Sequence, residues 1–240
     1  MPSYKLIPTE TDQYDPDALR DGIEAADGTT SNRDPQCGTI PSTFDGGAGS
    51  DLYWVEFGWE RTYTRSTWNG TETYVDLERY PVLFLQNGYI AHYKARNEVT
   101  TTIRAILQNL LDAQISFDHV EFDPDDLFAV IDEADSVQRI DVAPTDRAAP
   151  EYLSASDRGD LRETTFIEDY DVEPFERVKI TVPRRMIDVN VGFDQSGTVI
   201  LHGHDMPLPT QAQTLRYLCD ELIDQYIDQN PVQGNLSRFQ

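Results

Sequence analysis

Hydrophobic and polar residues alternate most regularly between Met186 and Asp194. Ile187, Val189, Val191 and Phe193 stand against Asp188, Asn190, Gly192 and Asp194, the period-2 pattern of a half-buried strand. Ser196-Gly197 predicts a tight turn, because glycine tolerates positive φ. A return strand over Thr198–Gly203 turns Val199 and Leu201 inward. The period then changes to 3.6: Leu215, Leu218, Cys219, Leu222, Ile223 and Tyr226 form one helix stripe. Thr210, with Gln213 three residues on, predicts the capping box that starts this helix.

The same grammar appears earlier. Leu52–Trp68 alternates Tyr53, Val55, Phe57 and Trp59 against Trp54, Glu56, Gly58 and Glu60, and Asn69-Gly70 turns it into Thr71–Arg79. Pro81 is expected to end that strand, with a new one at Val82–Leu85 turning through Asn87-Gly88 into Tyr89–Tyr93. A helix over Glu98–Ala113 follows, with Val99, Ile103, Ile106, Leu107 and Leu110 as its stripe. The remaining elements are a strand at Tyr4–Pro8 and a helix capped by Asp15 and running to about Ala26. A strand at Ile115–Phe122 leads to a helix from Asp123 to near Ala134. Further strands are expected at Val137–Val142, Glu163–Tyr170 and Phe175–Val182. Gly28–Ser50 and Ala143–Asp160 carry no periodicity and read as long loops.

The two halves can be overlaid. Tyr14-Asp15-Pro16-Asp17 with Leu19, Ile23 and Ala26 matches Phe122-Asp123-Pro124-Asp125 with Leu127, Ile131 and Ala134, at an offset of 108. Gln86-Asn87-Gly88 matches Gln195-Ser196-Gly197 at an offset of 109. Two matches at nearly one offset, in one element order, point to a tandem duplication. The expected fold is therefore α+β: two tandem pseudo-repeats forming a curved antiparallel sheet with helices on one face. Residues 1–113 make the first repeat, with the loop at 28–50. Residues 114–230 make the second, with the loop at 143–160, and 231–240 form a tail.

This order of strand, helix, antiparallel strands with a Gly-turn hairpin, and long helix resembles one repeat of the TATA-box-binding protein. The likeness is topological, and its most specific segments are 82–113 and 187–228, with Gly88, Gly197 and Gly203. It implies a saddle-like sheet backed by helices and a nucleic-acid ligand. The family's inserted phenylalanines fall at Leu85 and Asp194, and its basic residue after the turn glycine falls at Tyr89 and Thr198. The side chains that wedge into and grip a minor groove are thus not matched.

Charge changes the picture. Of 240 residues, 43 are acidic and 19 basic, a net charge of −24, and the acids are spread along the chain rather than gathered in a tail. Only Lys5, Lys94 and Lys179 are lysines. Such a surface suits high salt, where dense carboxylates hold water and their repulsion is screened, and the composition resembles that of cytosolic proteins from salt-in halophiles. Cys37 and Cys219 read as two thiols in a reducing compartment. With no apolar leader and no apolar run of membrane length, the expected setting is cytoplasmic, without a membrane partner.

If helices cover one sheet face, alternation assigns the other. In the second half it shows Arg177, Lys179, Thr181, Asp188, Asn190, Asp194, Thr198, Ile200 and His202. In the first half it shows Leu83, Leu85, Tyr89, Ala91 and Tyr93, apolar residues that the 28–50 loop, a second subunit or a ligand must cover. The candidate partner-binding face is therefore Leu83, Leu85, Tyr89, Tyr93, Arg177, Lys179, Asn190, Thr198 and His202. Arg61 and Arg65 beside Trp54, Trp59, Tyr63 and Trp68 offer a second possibility, a stacking platform for single strands. His202 and His204 have metal-type spacing but lack a third ligand nearby, and Asp123-Pro124-Asp125-Asp126 lacks the glycine and closing glutamate of a calcium loop. Neither a phosphate-binding glycine loop nor a nucleophile elbow occurs. The sequence thus points to a non-enzymatic binding or adaptor protein that needs no cofactor and uses the free sheet face or the 28–50 loop to hold a protein partner or a second copy of itself. The alternatives are a nucleic-acid binder of TATA-box-binding-protein-like architecture, and a metal-dependent enzyme at His202 and His204.

Overall fold

The computed structural model describes residues 1–9, 14–25, 34–41, 51–111, 120–142, 153–156, 160–163, 175–182, 189–203 and 205–224. In chain order these form β1 (Ser3–Pro8), α1 (Pro16–Ala25), β2 (Gln36–Ile40), β3 (Leu52–Thr67), β4 (Gly70–Phe84), β5 (Tyr89–Tyr93), α2 (Asn97–Leu110) and α3 (Pro124–Glu133). There follow β6 (Ser136–Val142), β7 (Leu153–Ser156), a 3-10 turn at Leu161–Glu163, β8 (Phe175–Val182), β9 (Val189–Asp194), β10 (Thr198–His202) and α4 (Leu208–Leu218). A π-helical turn over Cys219–Ile223 continues α4. The fold is α+β, and every described strand pairing is antiparallel. No described helix is long and apolar enough to cross a membrane.

Two compact units divide the chain: Thr9–Phe117, and Met1–Pro8 with Asp118–Gln240. The first is a meander in which β2 pairs β3, β3 pairs β4 and β4 pairs β5. α1 packs on β2, β3 and α2. Leu19 and Ile23 of α1 and Val99, Ile103 and Leu107 of α2 supply the buried helix stripes, and Asp15 Oδ1 accepts from the Asp17 N–H at 2.9 Å as the cap of α1.

In the second unit the ladder runs β1-β10-β9-β8-β6-β7. Its register puts Ile140, Val178, Phe193, Val199 and Tyr4 in one row across five strands, and all five are fully buried. Burying a side chain of this kind is worth about 1.5–3 kcal/mol, so this row organises the unit. Phe122 meets Phe193 edge-on at 5.4 Å, and Tyr4 Oη donates to Gln211 Oε1 on α4, so α3 and α4 lie over the face of this row. Asp123, where the helix was expected to open, caps α3 in a capping box with Asp126 as its reciprocal partner.

Several expectations need correction. Pro81 does not end a strand: β4 runs through it to Phe84. Its pairing with β5 begins only at Val82–His92, and a proline is tolerated where one side of a strand carries no ladder. Two expected loops contain edge strands, β2 and β7. Thr210 is not the cap of the last helix, which starts two residues earlier at Leu208 behind Pro207. Pro209 in the first turn fixes φ there, and the Thr210 carbonyl instead accepts from Thr214 Oγ1 at 2.7 Å. The N-terminal strand, read as part of the first half, pairs with β10 of the second. Residues 120–122 carry no strand. The expected strand residues 115–119 and 164–170 and the tail at 231–240 lie outside the described residues, as do His119, His204 and Tyr226.

Candidate functional site

Behind the buried row of the second unit lies the opposite sheet face, and register builds it in three rows. The first is Asp141, Arg177, Asp194, Thr198 and Lys5; the second is Arg139, Lys179, Gly192, Ile200 and Ser3; the third is Thr181, Asn190 and His202. Five of the nine residues expected on a binding face, Arg177, Lys179, Asn190, Thr198 and His202, are therefore brought together here. Thr198 shares the face but is 1 % exposed. Its hydroxyl lies 3.0 Å from Ser196 Oγ, and Lys5 opposite it donates to the Ser196 carbonyl, so the turn closes over it. Asp194 is held by the Thr198 N–H at 3.0 Å. Lys179, Asn190 and His202 are half-buried and Arg177 is exposed.

The charges on this face are unusual for the molecule. Arg139 and Lys179 stand directly opposite each other, an arrangement that costs stability between like charges. Arg139 Nε is paired with Asp141 at 2.7 Å, and Arg177 reaches Asp141 at 3.8 Å and Asp194 at 4.0 Å. The ammonium of Lys179, one of only three lysines, has no hydrogen bond or ion pair among the described residues. Beside it Gly192 is buried beneath the His202 ring: a Cβ there would come within 3.0 Å of His202 Nε2 and 3.5 Å of Ile200 Cβ. The other ring nitrogen of His202, Nδ1, lies 3.0 Å from Met1 Sδ. Burial first, then the positive charges of Lys179, the amino terminus, Arg139 and Arg177, push the His202 pKa down to about 4. The imidazole is neutral at pH 7, able to offer one N–H beside an ammonium and a guanidinium. This is a cationic, donor-rich notch on a chain of net −24.

The first unit does not present the companion face. Leu83 and Leu85 are fully buried and Tyr89 nearly so, while Tyr93 is half-buried. Their neighbours Val82, Phe84, Ile90 and Ala91 are buried too, so β4 and β5 are covered on both faces. The expected outward display of Leu83, Leu85 and Tyr89 is thereby corrected: these apolar side chains are core.

The stacking platform is also corrected. Trp59 is buried, and Trp54 points to the other face of β3, beside Leu83. Tyr63 stacks on Tyr74 at 5.3 Å with Arg61 over its ring at 4.4 Å, and only Trp68 stands fully exposed. Glu78 binds this group together: Tyr63, Tyr80 and Arg61 donate to it, Arg61 at 2.7 Å. Burial works to raise its pKa, but those donors overcome burial and hold the carboxyl at about 2. In the second unit Asp160 has the same station, brought to about 2 chiefly by Arg162 and by the Val137 N–H, against burial. Arg162 goes on to donate to the Asp135 carbonyl at 2.8 Å beyond the end of α3.

Sequence reading missed Arg139. Gln138 is an extra residue between the pairs Val137–Ile180 and Arg139–Lys179, and this bulge lets Val137 and Ile140 both point inward while Arg139 points out. Among the described residues no group of three or more His, Cys, Asp or Glu side chains is placed to hold a metal ion, and Asp123 and Asp126 are occupied in the cap of α3. No known protein-family model matches the chain, and no curated protein matches it in sequence.

Proposed function

We propose that the chain is a non-enzymatic binding protein. It uses the polar face of β6, β8, β9 and β10 to hold an acidic segment of a protein partner. The observation that carries this reading is Lys179, whose ammonium has no counter-ion among the described residues and stands opposite Arg139 in a chain with more than twice as many acids as bases. A residue pattern that keeps two like charges adjacent, when carboxylates are plentiful, sacrifices local stability, and such conflicts mark functional surfaces. The neutral imidazole of His202, seated over Gly192, adds a donor. A short acidic segment fits better than nucleic acid. The notch gathers three cationic side chains, two of them already tied to Asp141 and Asp194, whereas nucleic-acid affinity grows with the number of phosphates neutralised.

Both units set antiparallel strands between two helices, four strands in the first and five in the second, an order that supports their origin by duplication of about 108 residues, a TATA-box-binding-protein-like plan in which only one copy keeps a polar face. The composition suits a salt-rich cytoplasm.

Fluorescence anisotropy of labelled hexaglutamate tests the reading. The intact chain should bind it with saturable affinity at 0.2 M KCl, and Lys179→Glu should weaken binding at least tenfold without changing the melting temperature. Absence of binding, or equal binding by Lys179→Glu, contradicts it. Retention of duplex or single-stranded DNA through the same lysine would transfer the site to the nucleic-acid reading.

A further inference from the structure

The bulge in β6 turns two consecutive side chains to the polar face. Val137 and Ile140 are fully buried in the core. Between them, Arg139 stands opposite Lys179, while Gln138 falls outside the ladder. A bulge re-aims side chains that plain alternation would send to opposite faces, and here it keeps Gln138 on the same side as Thr181. Gln138 Nε2 donates to Thr181 Oγ1 at 2.7 Å. The Thr181 hydroxyl donates in turn to Asn190 Oδ1 at 2.9 Å, on the residue directly opposite it in β9.

This relay has more bonds than burial requires. Thr181 is 8 % exposed, and a single partner, Asn190, would satisfy its hydroxyl. The second bond, from the half-buried Gln138, adds direction. With one N–H already accepted, the Thr181 oxygen gives its own proton to Asn190, and only the carbonyl end of that amide can take it. The Nδ2 end, with two N–H donors, is turned away from Thr181, and among the described residues it has no acceptor. Asn190 is half-buried, directly opposite His202, and two residues along β9 from Gly192, the partner of Lys179. Such a diagonal separation is about 7–8 Å, within reach of a long side chain.

We infer that Gln138 and Thr181 are positioning residues of the notch, holding the Asn190 amide so that its N–H bonds, and not its oxygen, meet a carboxylate bound at Lys179. The inference rests on the acidic-segment reading of this face and adds how the segment is oriented: Lys179 supplies the charge and Asn190 a directed donor. An untethered amide would present its oxygen to the ligand in about half of the population, and affinity falls with the competent fraction.

Anisotropy of labelled hexaglutamate with the full chain at 0.2 M KCl, joined to NMR of the Asn190 side-chain amide, tests this. Asn190→Ala should weaken binding about tenfold, the loss of one hydrogen bond to a charged group. Thr181→Val keeps the shape and deletes the hydroxyl, and Gln138→Met keeps the length and deletes the N–H. Each should weaken binding about twofold or more, and Thr181→Ser should restore it. In the intact chain and in Thr181→Ser, the Asn190 Nδ2 protons should move downfield when hexaglutamate binds. Binding that depends on Lys179 but leaves those protons unmoved, or that is equal in Asn190→Ala, overturns the inference while the sheet-face reading stands. So does a Thr181→Ser chain as weak as Thr181→Val, which would show packing rather than the hydroxyl at work. Absence of any hexaglutamate binding removes both. Should Thr181→Val fail to fold, Asn190→Ala and the side-chain shifts of the intact chain decide.

Discussion

The sheets of the two units share a hairpin-then-helix plan but treat their second face in opposite ways. In the first, Leu83 and Leu85 alternate with Val82 and Phe84, and all four are fully buried. In the second, Val178, Ile180, Val191 and Phe193 are equally buried, yet on the opposite face Lys179 and Asn190 are half-buried and polar, and Gly192 lies beneath the His202 ring. One sheet uses both faces for core; the other keeps one for solvent and charge. Polar function on a sheet requires a face that the core does not need, and only the second unit has one.

The turns give the sharpest way to break this comparison. Gly197 and Gly70 both have positive φ, +73° and +125°. A Cβ on Gly197 would fall 1.6 Å from the Val120 carbonyl oxygen, whereas one on Gly70 meets nothing within 4 Å. Gly197→Ala should cost about 4 kcal/mol or more, from strain plus displacement of the Val120 backbone, and Gly70→Ala about 1–2 kcal/mol from strain alone. Urea denaturation checks both, and equal losses would show that the β9–β10 turn is not clamped.

The faces come next. Leu83→Ala should cost about 2–5 kcal/mol as a core truncation, while Lys179→Ala should stay within about 0.5 kcal/mol, or stabilise by removing the repulsion from Arg139. A large loss at Lys179 would mean that the polar face is structural.

Acid sharpens the comparison further. Glu78 and Asp160 both have folded pKa values near 2, below their ordinary 4.5 and 3.8. The unfolded chain binds these protons first, so the stability they contribute is complete above about pH 4.5 and drains away as pH falls toward 2. Each contributes on the order of 1 kcal/mol after allowance for solvent screening. Glu78→Gln and Asp160→Asn should each flatten the fall in melting temperature over that window. His202 acts in a higher pH window. Its folded pKa of about 4 against an ordinary 6.5 means that the unfolded chain is protonated first, so stability declines as pH drops from 6.5 to 4. His202→Gln should remove that slope, which pH-dependent thermal melts will show.

Much of this was legible in the sequence because alternation and turn chemistry are local. The rows of Val191 and Phe193 against Asn190 and Asp194, the Asn69-Gly70 and Ser196-Gly197 turns, the stripe of α2 and the Asp123 cap all follow from spacing alone. What escaped depends on neighbours. Gln36–Ile40 has too few apolar residues to announce a strand, and β3 supplies the partner that makes it one. Pro81 breaks a strand only if both sides need its N–H. The outward side of a sheet is not encoded in alternation, which sets Leu83 and Leu85 on the second face without showing that this face too is core. Arg139 was hidden by the Gln138 bulge, which reverses the alternation within a single strand.

The most direct test of the account is a backbone-amide NMR titration of the full chain with hexaglutamate at 0.2 M KCl. Shift changes should centre on Lys179, Gly192 and His202, leave the β3–β4 hairpin from Thr62 to Val75 untouched, and vanish in Lys179→Glu. Changes that are absent, or that centre on that hairpin or on residues around Leu83, would contradict the assignment of binding to the polar face.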